Sequence, residues 1–204
     1  MKKPIIKLSL VILALSLLRV SGYSSDQLKQ YILKYKNVKT FQATFIQKKH
    51  LSVLENDQKS FGLIKFKKEN KMLWALEKPY VYQFILNGKK VIKKYPQLGE
   101  REEFNLDDNL QMKTLFDNIF LLMGHKSIKE IKKKYTVSSK NKKVILIPIN
   151  KGVRKHIIKI IISFNNRNLI ESIQLIEPSG DYTSIRFSNI KINQNVSDSE
   201  FSTD

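Results

Sequence analysis

A side-chain period of two, repeated segment after segment, constrains this chain more than any other feature. Phe41, Ala43 and Phe45 alternate with Gln42 and Thr44, and Gly62, Ile64 and Phe66 alternate with Leu63, Lys65 and Lys67. Met72, Trp74 and Leu76 follow, then Tyr82, Phe84 and Leu86, then Val91 and Ile92. Successive residues of a strand point to opposite faces, so such runs build a sheet with one apolar face. Asn87-Gly88 separates two of the runs and marks a tight hairpin. The spacing predicts about five consecutive antiparallel strands between residues 38 and 105.

Two segments keep a helical period instead. Ser24 and Gln27 form a capping box ahead of Leu28, Tyr31, Ile32 and Tyr35, which share one helix face that fades near Asn37. Between Asp107 and Met123, the spacing of Met112, Leu115, Phe116, Ile119 and Met123 predicts a second helix, with Asp107 as its cap and Gly124 as its stop. Strands then resume over 134–140, 143–149, 158–164 and 169–176, and Thr183, Ile185 and Phe187 lie on a last clear one. Residues 194–204 are polar and read as a loose tail. The fold class is mainly β: one antiparallel sheet of about ten strands with a leading helix and an inserted one. Two helices cannot cover ten curved strands completely. The sheet therefore either closes on itself or keeps a greasy concavity, and periodicity does not choose between a filled core and a ligand groove.

The N-terminus reads as an export address. Lys2 and Lys3 precede an eleven-residue run, Leu8–Leu18, that is apolar except for its serines, and Val20-Ser21-Gly22 supplies small residues. We expect residues 1–22 to be a signal peptide cleaved near Gly22-Tyr23, leaving residues 23–204 as one domain outside the cytoplasm. Tyr23 stands where a lipid-modified cysteine would follow, and the chain has no cysteine at all. That excludes disulfides, thiolate metal sites and a cysteine nucleophile. Without its leader the chain keeps 33 bases against 18 acids, a charge of +15. Only five of the full chain's 37 bases are arginine, whereas nucleic-acid readers favour the arginine fork, so no nucleic-acid partner is expected. His50, His125 and His156 have no metal-ligand spacing, and no phosphate loop, dinucleotide fingerprint or nucleophile elbow is present. The expectation is a protein that is not an enzyme and needs no cofactor or metal.

The order of motifs adds a resemblance. Phe41-Gln42-Ala43-Thr44-Phe45-Ile46-Gln47, Gly62-Leu63-Ile64, Trp74 to Pro79, Asn87-Gly88 with Pro96 eight positions on, and Ser179 to Asn193 follow one another behind an export signal. Together they resemble the periplasmic outer-membrane lipoprotein carrier (LolA) family over most of residues 26–193. The resemblance implies an open, strongly curved antiparallel sheet, a half-barrel, with helices lidding its concave face. It further implies a monomeric periplasmic chaperone that takes acylated lipoproteins from an inner-membrane releasing complex to an outer-membrane acceptor.

Strand parity then nominates Phe45, Phe66, Met72, Trp74, Phe84 and Leu86 as lipid-binding residues, joined by Leu115, Phe116 and Ile119 from the lid helix. The family usually carries an arginine just before the Trp strand that latches the lid; here the counted position is Lys68. Met72 stands where phenylalanine is frequent, Ile92 where an aromatic is usual, and the family's closing Phe-x-Pro segment is missing, which would expose a sheet edge. Two alternatives stay open: a lipid-binding half-barrel acting as a sensor without shuttling, and a secreted enzyme of unrecognised type.

Overall fold

A computed structural model of the chain describes residues 26–203, apart from 69, 110–112, 114, 115, 117–119 and 121–126. The expected signal peptide, the capping box of the leading helix, Leu115, Ile119, the expected helix stop Gly124 and His125 lie outside the described residues or their side chains.

Helix α1 (Asp26–Tyr35) leads into six strands, β1 (Thr40–His50), β2 (Gln58–Lys67), β3 (Lys71–Lys78), β4 (Tyr82–Asn87), β5 (Lys90–Tyr95) and β6 (Glu100–Asn105). After a connection come α2 (Ile128–Lys134), β7 (Tyr135–Lys140), β8 (Lys143–Pro148), the short α3 (Lys151–Arg154), β9 (Lys159–Phe164), β10 (Ile170–Ile176) and β11 (Tyr182–Ile192). The eleven strands form one antiparallel sheet in the order β6-β5-β4-β3-β2-β1-β11-β10-β9-β8-β7. Two meanders meet where β1 pairs with β11, and β6 and β7 remain as free edges, so the sheet is open.

That topology explains where the inserted segment goes. The chain leaves at one edge, β6, and re-enters at the other, β7. Its connection joins the two edges, and apolar side chains in it lower their free energy by resting on the apolar face. Lys113, Phe116 and Phe120 are helical there. Phe116 and Phe120 are buried in the inner-face cluster, with the Phe120 ring 5.7 Å from Phe66.

Turn chemistry matches the hairpins. Asn87 pairs with Lys90, so the β4–β5 turn is Gly88-Lys89. Gly88, at φ +66°, takes the left-handed first position one residue later than the Asn-Gly reading implies. Asn141 and Lys142, at φ 50° and 58°, form the two-residue turn between β7 and β8.

Three expectations need correction. Asp107 is not a cap: Asn105 accepts the hydrogen bond from the Asp107 N–H and caps the 3-10 turn Leu106–Asp108. The Asp107 carboxylate instead pairs with Lys89 and Lys113, and their hydrogen bonds, led by that of Lys113, hold its pKa down at about 2. The tail is not loose. Val196 and Phe201 are buried with Leu73, Ala75, Ile85 and Ile92 on the outer face of the sheet. Nor does the missing closing motif bare an edge, because β11, which precedes the tail, sits mid-sheet between β1 and β10.

Candidate functional site

Register assembles the inner face row by row. Phe41, Phe66, Met72, Leu86 and Val91 are successive cross-strand partners from β1 to β5, and all are fully buried. The neighbouring row runs Ala43, Ile64, Trp74, Phe84 and Lys93. Its first two members are buried, while Trp74 and Phe84 are only half-buried. A third row places Phe45 opposite Gly62 and Leu76 opposite Tyr82. Phe45, Gly62 and Leu76 are buried and Tyr82 is half-buried, so the half-buried side chains gather on β3 to β5. The end beside Phe41 is closed by Leu106, Phe116 and Phe120.

Gly62 makes room for the aromatic centre of this face. A side chain there would meet Phe45, so the Phe45 ring occupies the gap and lies 4.2 Å from the Trp74 ring, centroid to centroid. Tyr82 packs edge-on against Phe84 at 5.3 Å, and burial raises the Tyr82 pKa. Lys93 points its ammonium at the Tyr95 ring, 4.6 Å from its centre, with the Phe84 ring at 5.9 Å. Its pKa is raised, first by the hydrogen bond to the Tyr95 hydroxyl, with Glu102 adding to the effect. The half-buried part of this face is thus aromatic, with the Lys93 ammonium set among its rings.

The other half of the inner face is filled. Val144, Leu146, Ile160, Ile162, Ile173 and Ile185 lie in the same buried cluster as Ile32, Tyr35 and Ile131 of α1 and α2. α1 rests on β7 and β8, and the Tyr35 hydroxyl accepts a hydrogen bond from the Ile170 N–H at 3.1 Å.

The structure brings Phe45, Phe66, Met72, Leu86 and Phe116 together in this inner cluster and sets Trp74 and Phe84 at its border. Lys68 stands exposed at the β2–β3 turn, its backbone N–H bonded to Lys39; none of its described contacts reaches a helix. Sequence reasoning overlooked Phe41, Ile64, Tyr82, Lys93, Tyr95 and Phe120. Parity could have found Lys93 and Tyr95, which share a face with Val91. Among the described residues, no group of acids and histidines could hold a metal, and His50 is engaged by Asp57 at 2.9 Å and stacked on Tyr182. No described helix is long and apolar enough to cross a membrane.

Comparison with known proteins agrees with this architecture. An outer-membrane lipoprotein carrier protein of Francisella tularensis (strain SCHU S4 / Schu 4) is 26% identical over 182 residues, covering 87% of this chain and 83% of that protein. One from Pseudomonas putida (strain GB-1) is 26% identical over 198 residues, covering 96% and 92%. Among solved structures, MucB superposes with a TM-score of 0.50 at 11% identity, over 88% of this chain and 62% of MucB. A LolA superfamily protein of Nitrosomonas europaea gives 0.46 at 11% identity, over 89% and 98%. The model of the family described as outer membrane lipoprotein carrier protein LolA matches residues 36–204, and the chain belongs to that family.

Proposed function

We propose that this protein is a periplasmic chaperone that shelters the acyl chains of lipoproteins against its inner face and carries them from the inner to the outer membrane. The observation that carries the reading is an open sheet whose inner face is apolar across both meanders and is covered, among the described residues, by α1, α2, Phe116 and Phe120. Burying one methylene is worth about 0.8 kcal/mol, so exposing a sixteen-carbon chain costs on the order of 12 kcal/mol. A lipoprotein with two or three such chains needs a sheltered trough to cross water, and family membership supports that role. The work is binding and release rather than catalysis.

In this arrangement Phe45, Phe66, Met72, Leu86 and Phe116 are covered, while Trp74 and Phe84 are half-covered. Lipid therefore enters past Trp74 and Phe84 and displaces the segment bearing Phe116 and Phe120 from the sheet. Phe45, Phe66, Met72 and Leu86 become the floor, and Leu115 and Ile119 belong to the moving wall. Lys68 carries a single charge on a flexible stem where the family places an arginine fork, and exposed at the β2–β3 turn it would latch that wall at most weakly. Loading by an inner-membrane complex and unloading to an outer-membrane acceptor complete the cycle.

Trp74 is the only tryptophan, which makes the test direct. Titration of acyl ligands should shift its emission to the blue, and mass spectrometry of protein purified from cells should find a co-purifying acylated molecule. A chain that carries no such molecule and leaves Trp74 emission unchanged would refute the carrier reading. Crosslinking in cells separates a shuttle, with partners at both membranes, from a sensor with one fixed partner.

A further inference from the structure

The exposed apolar side chains are not scattered. Ten large ones stand exposed among the described residues, and six of them lie at one end of the sheet. They are Val53 and Leu54 (86% and 43% exposed), Tyr80 (78%), Leu98 (68%), Ile149 (51%) and Ile158 (36%). Register shows the common end. The pairs Lys49–Gln58, Leu76–Tyr82, Tyr95–Glu100 and Ile176–Lys159 close the strands on which these loops are mounted, and His50–Tyr182 joins the two meanders there. Single exposed leucines are ordinary, but loop tips from both meanders gathered on one rim are not.

Two further observations indicate what covers the rim. Between Ile149 and Ile158 the chain carries Lys151, Arg154 and Lys155, all exposed, and no carboxylate. Asp57 of the same end is engaged by Lys48 and His50, and Asp181 by the Ser52 N–H, while exposed Glu55, Glu77 and Glu100 there are outnumbered by exposed Lys59, Lys78, Lys151, Arg154 and Lys155. The half-buried aromatics of the inner face, Tyr82 and Tyr95 with Trp74 and Phe84 behind them, also lie toward this end. Apolar tips with basic neighbours suit the interfacial layer of a bilayer bearing acidic headgroups: the tips enter the acyl boundary while the ammonium groups stay among phosphates. A folded protein partner would need a complementary surface, whereas separate finger-like tips on several loops match a soft, deformable layer.

We infer that this rim docks the protein directly on a membrane leaflet containing acidic phospholipid, with the half-buried aromatics of the inner face toward the lipid. Docking stands on the rim alone; its use, passing acyl chains between trough and leaflet without exposing them to water, rests on the carrier reading.

The chain has no cysteine, so single labels can be placed cleanly. Val53→Cys, Tyr80→Cys and Leu98→Cys each receive a polarity-sensitive bimane, and Asn166→Cys, exposed on the β9–β10 turn at the far end, is the control. The probes are vesicles of phosphatidylethanolamine with phosphatidylglycerol, and vesicles of phosphatidylcholine alone. The expected result is a blue shift at all three rim positions on the acidic vesicles, weakened by salt and on the neutral vesicles, and none at Asn166. Tyr80→Ser combined with Leu98→Ser should lower vesicle binding by roughly tenfold. Each label reports its own surroundings, so attachment through the N-terminal apolar run alone would leave the rim labels in water and overturn the inference. An equal shift at Asn166, or indifference to headgroup charge, would also overturn it. The Trp74→Ala variant should lose acyl-ligand uptake but keep the rim shift, so failure of the trough and failure of docking give different results.

Discussion

At the scale of single residues, Gly62 shows how an absent side chain shapes the trough. A Cβ built there would lie 2.1 Å from the Ala75 carbonyl oxygen and 2.8 Å from the tip of the Phe45 ring. Backbone cannot yield that far, so Gly62→Ala should push β2 from β3 and dislodge Phe45 from Trp74. Overpacking of this kind costs about 1–3 kcal/mol. The expected outcome is a lower midpoint in urea unfolding together with altered Trp74 emission in the folded protein; a native midpoint and spectrum would contradict the account. Parity made the inner residues legible because a two-residue period states the face directly. How deeply each is covered, with Phe66 and Phe45 buried and Trp74 half-buried, was not legible, since it depends on which distant segment lies above each residue.

At the scale of elements, the tail is a strap. Its 3-10 turn (Asp198–Phe201) lies on the outer face, with Phe201 fully buried. Lys65 binds Glu200 at 2.7 Å, Lys67 and Lys71 bind Asp198 at 3.0 and 2.7 Å, and Arg101 donates to the Thr203 carbonyl at 2.6 Å. The strap thus ties β2 and β3 to β6. Phe201→Ala should destabilise the protein by about 3–5 kcal/mol, read as a fall in unfolding midpoint, because the site is fully enclosed and its removal leaves a cavity. A lone phenylalanine in a polar segment has no period, and so the sequence reading left the tail loose.

Acid should release the strap and the start of the connection after β6 together. Hydrogen bonds from Lys71 and Lys67 lower the Asp198 pKa, and Asp107 is held at about 2 by Lys113 and Lys89. Both are depressed relative to the unfolded chain, so their stabilisation is complete above the ordinary aspartate pKa and is lost as pH falls through the folded value. Thermal midpoints should fall between about pH 4 and pH 2. Asp107→Asn and Asp198→Asn should each flatten that dependence, and unchanged acid sensitivity in the double variant would exclude this origin.

At the scale of the whole molecule, an open eleven-strand sheet has two edges to protect. β6 reads Glu-Arg-Glu-Glu-Phe-Asn and is mostly exposed, so charge discourages pairing with another sheet. In the carrier reading, lipid bound at the inner face adds apolar contacts that the unfolded chain lacks. Stripping co-purified lipid should therefore lower the thermal midpoint and adding it back should restore it, in proportion to the logarithm of free ligand. No difference between stripped and loaded protein in calorimetry would count against an inner-face site.

Local pattern alone determined the strands, the parity of their faces, the hairpin between β4 and β5 and the leading helix, because each rests on residues within a few positions of one another. It also held the order of motifs by which the chain resembles its family. Contacts across the whole fold decided the rest. Only the pairing of β1 with β11 leaves β6 and β7 as opposite edges, and only the tertiary fold buries Phe116 and Phe120, which lie between them in sequence, on the inner face. Only the closed set of neighbours shows that Phe201 fills an outer-face site and that exposed loop tips converge on one rim. These features join residues more than a hundred positions apart, and no short-range periodicity can encode them.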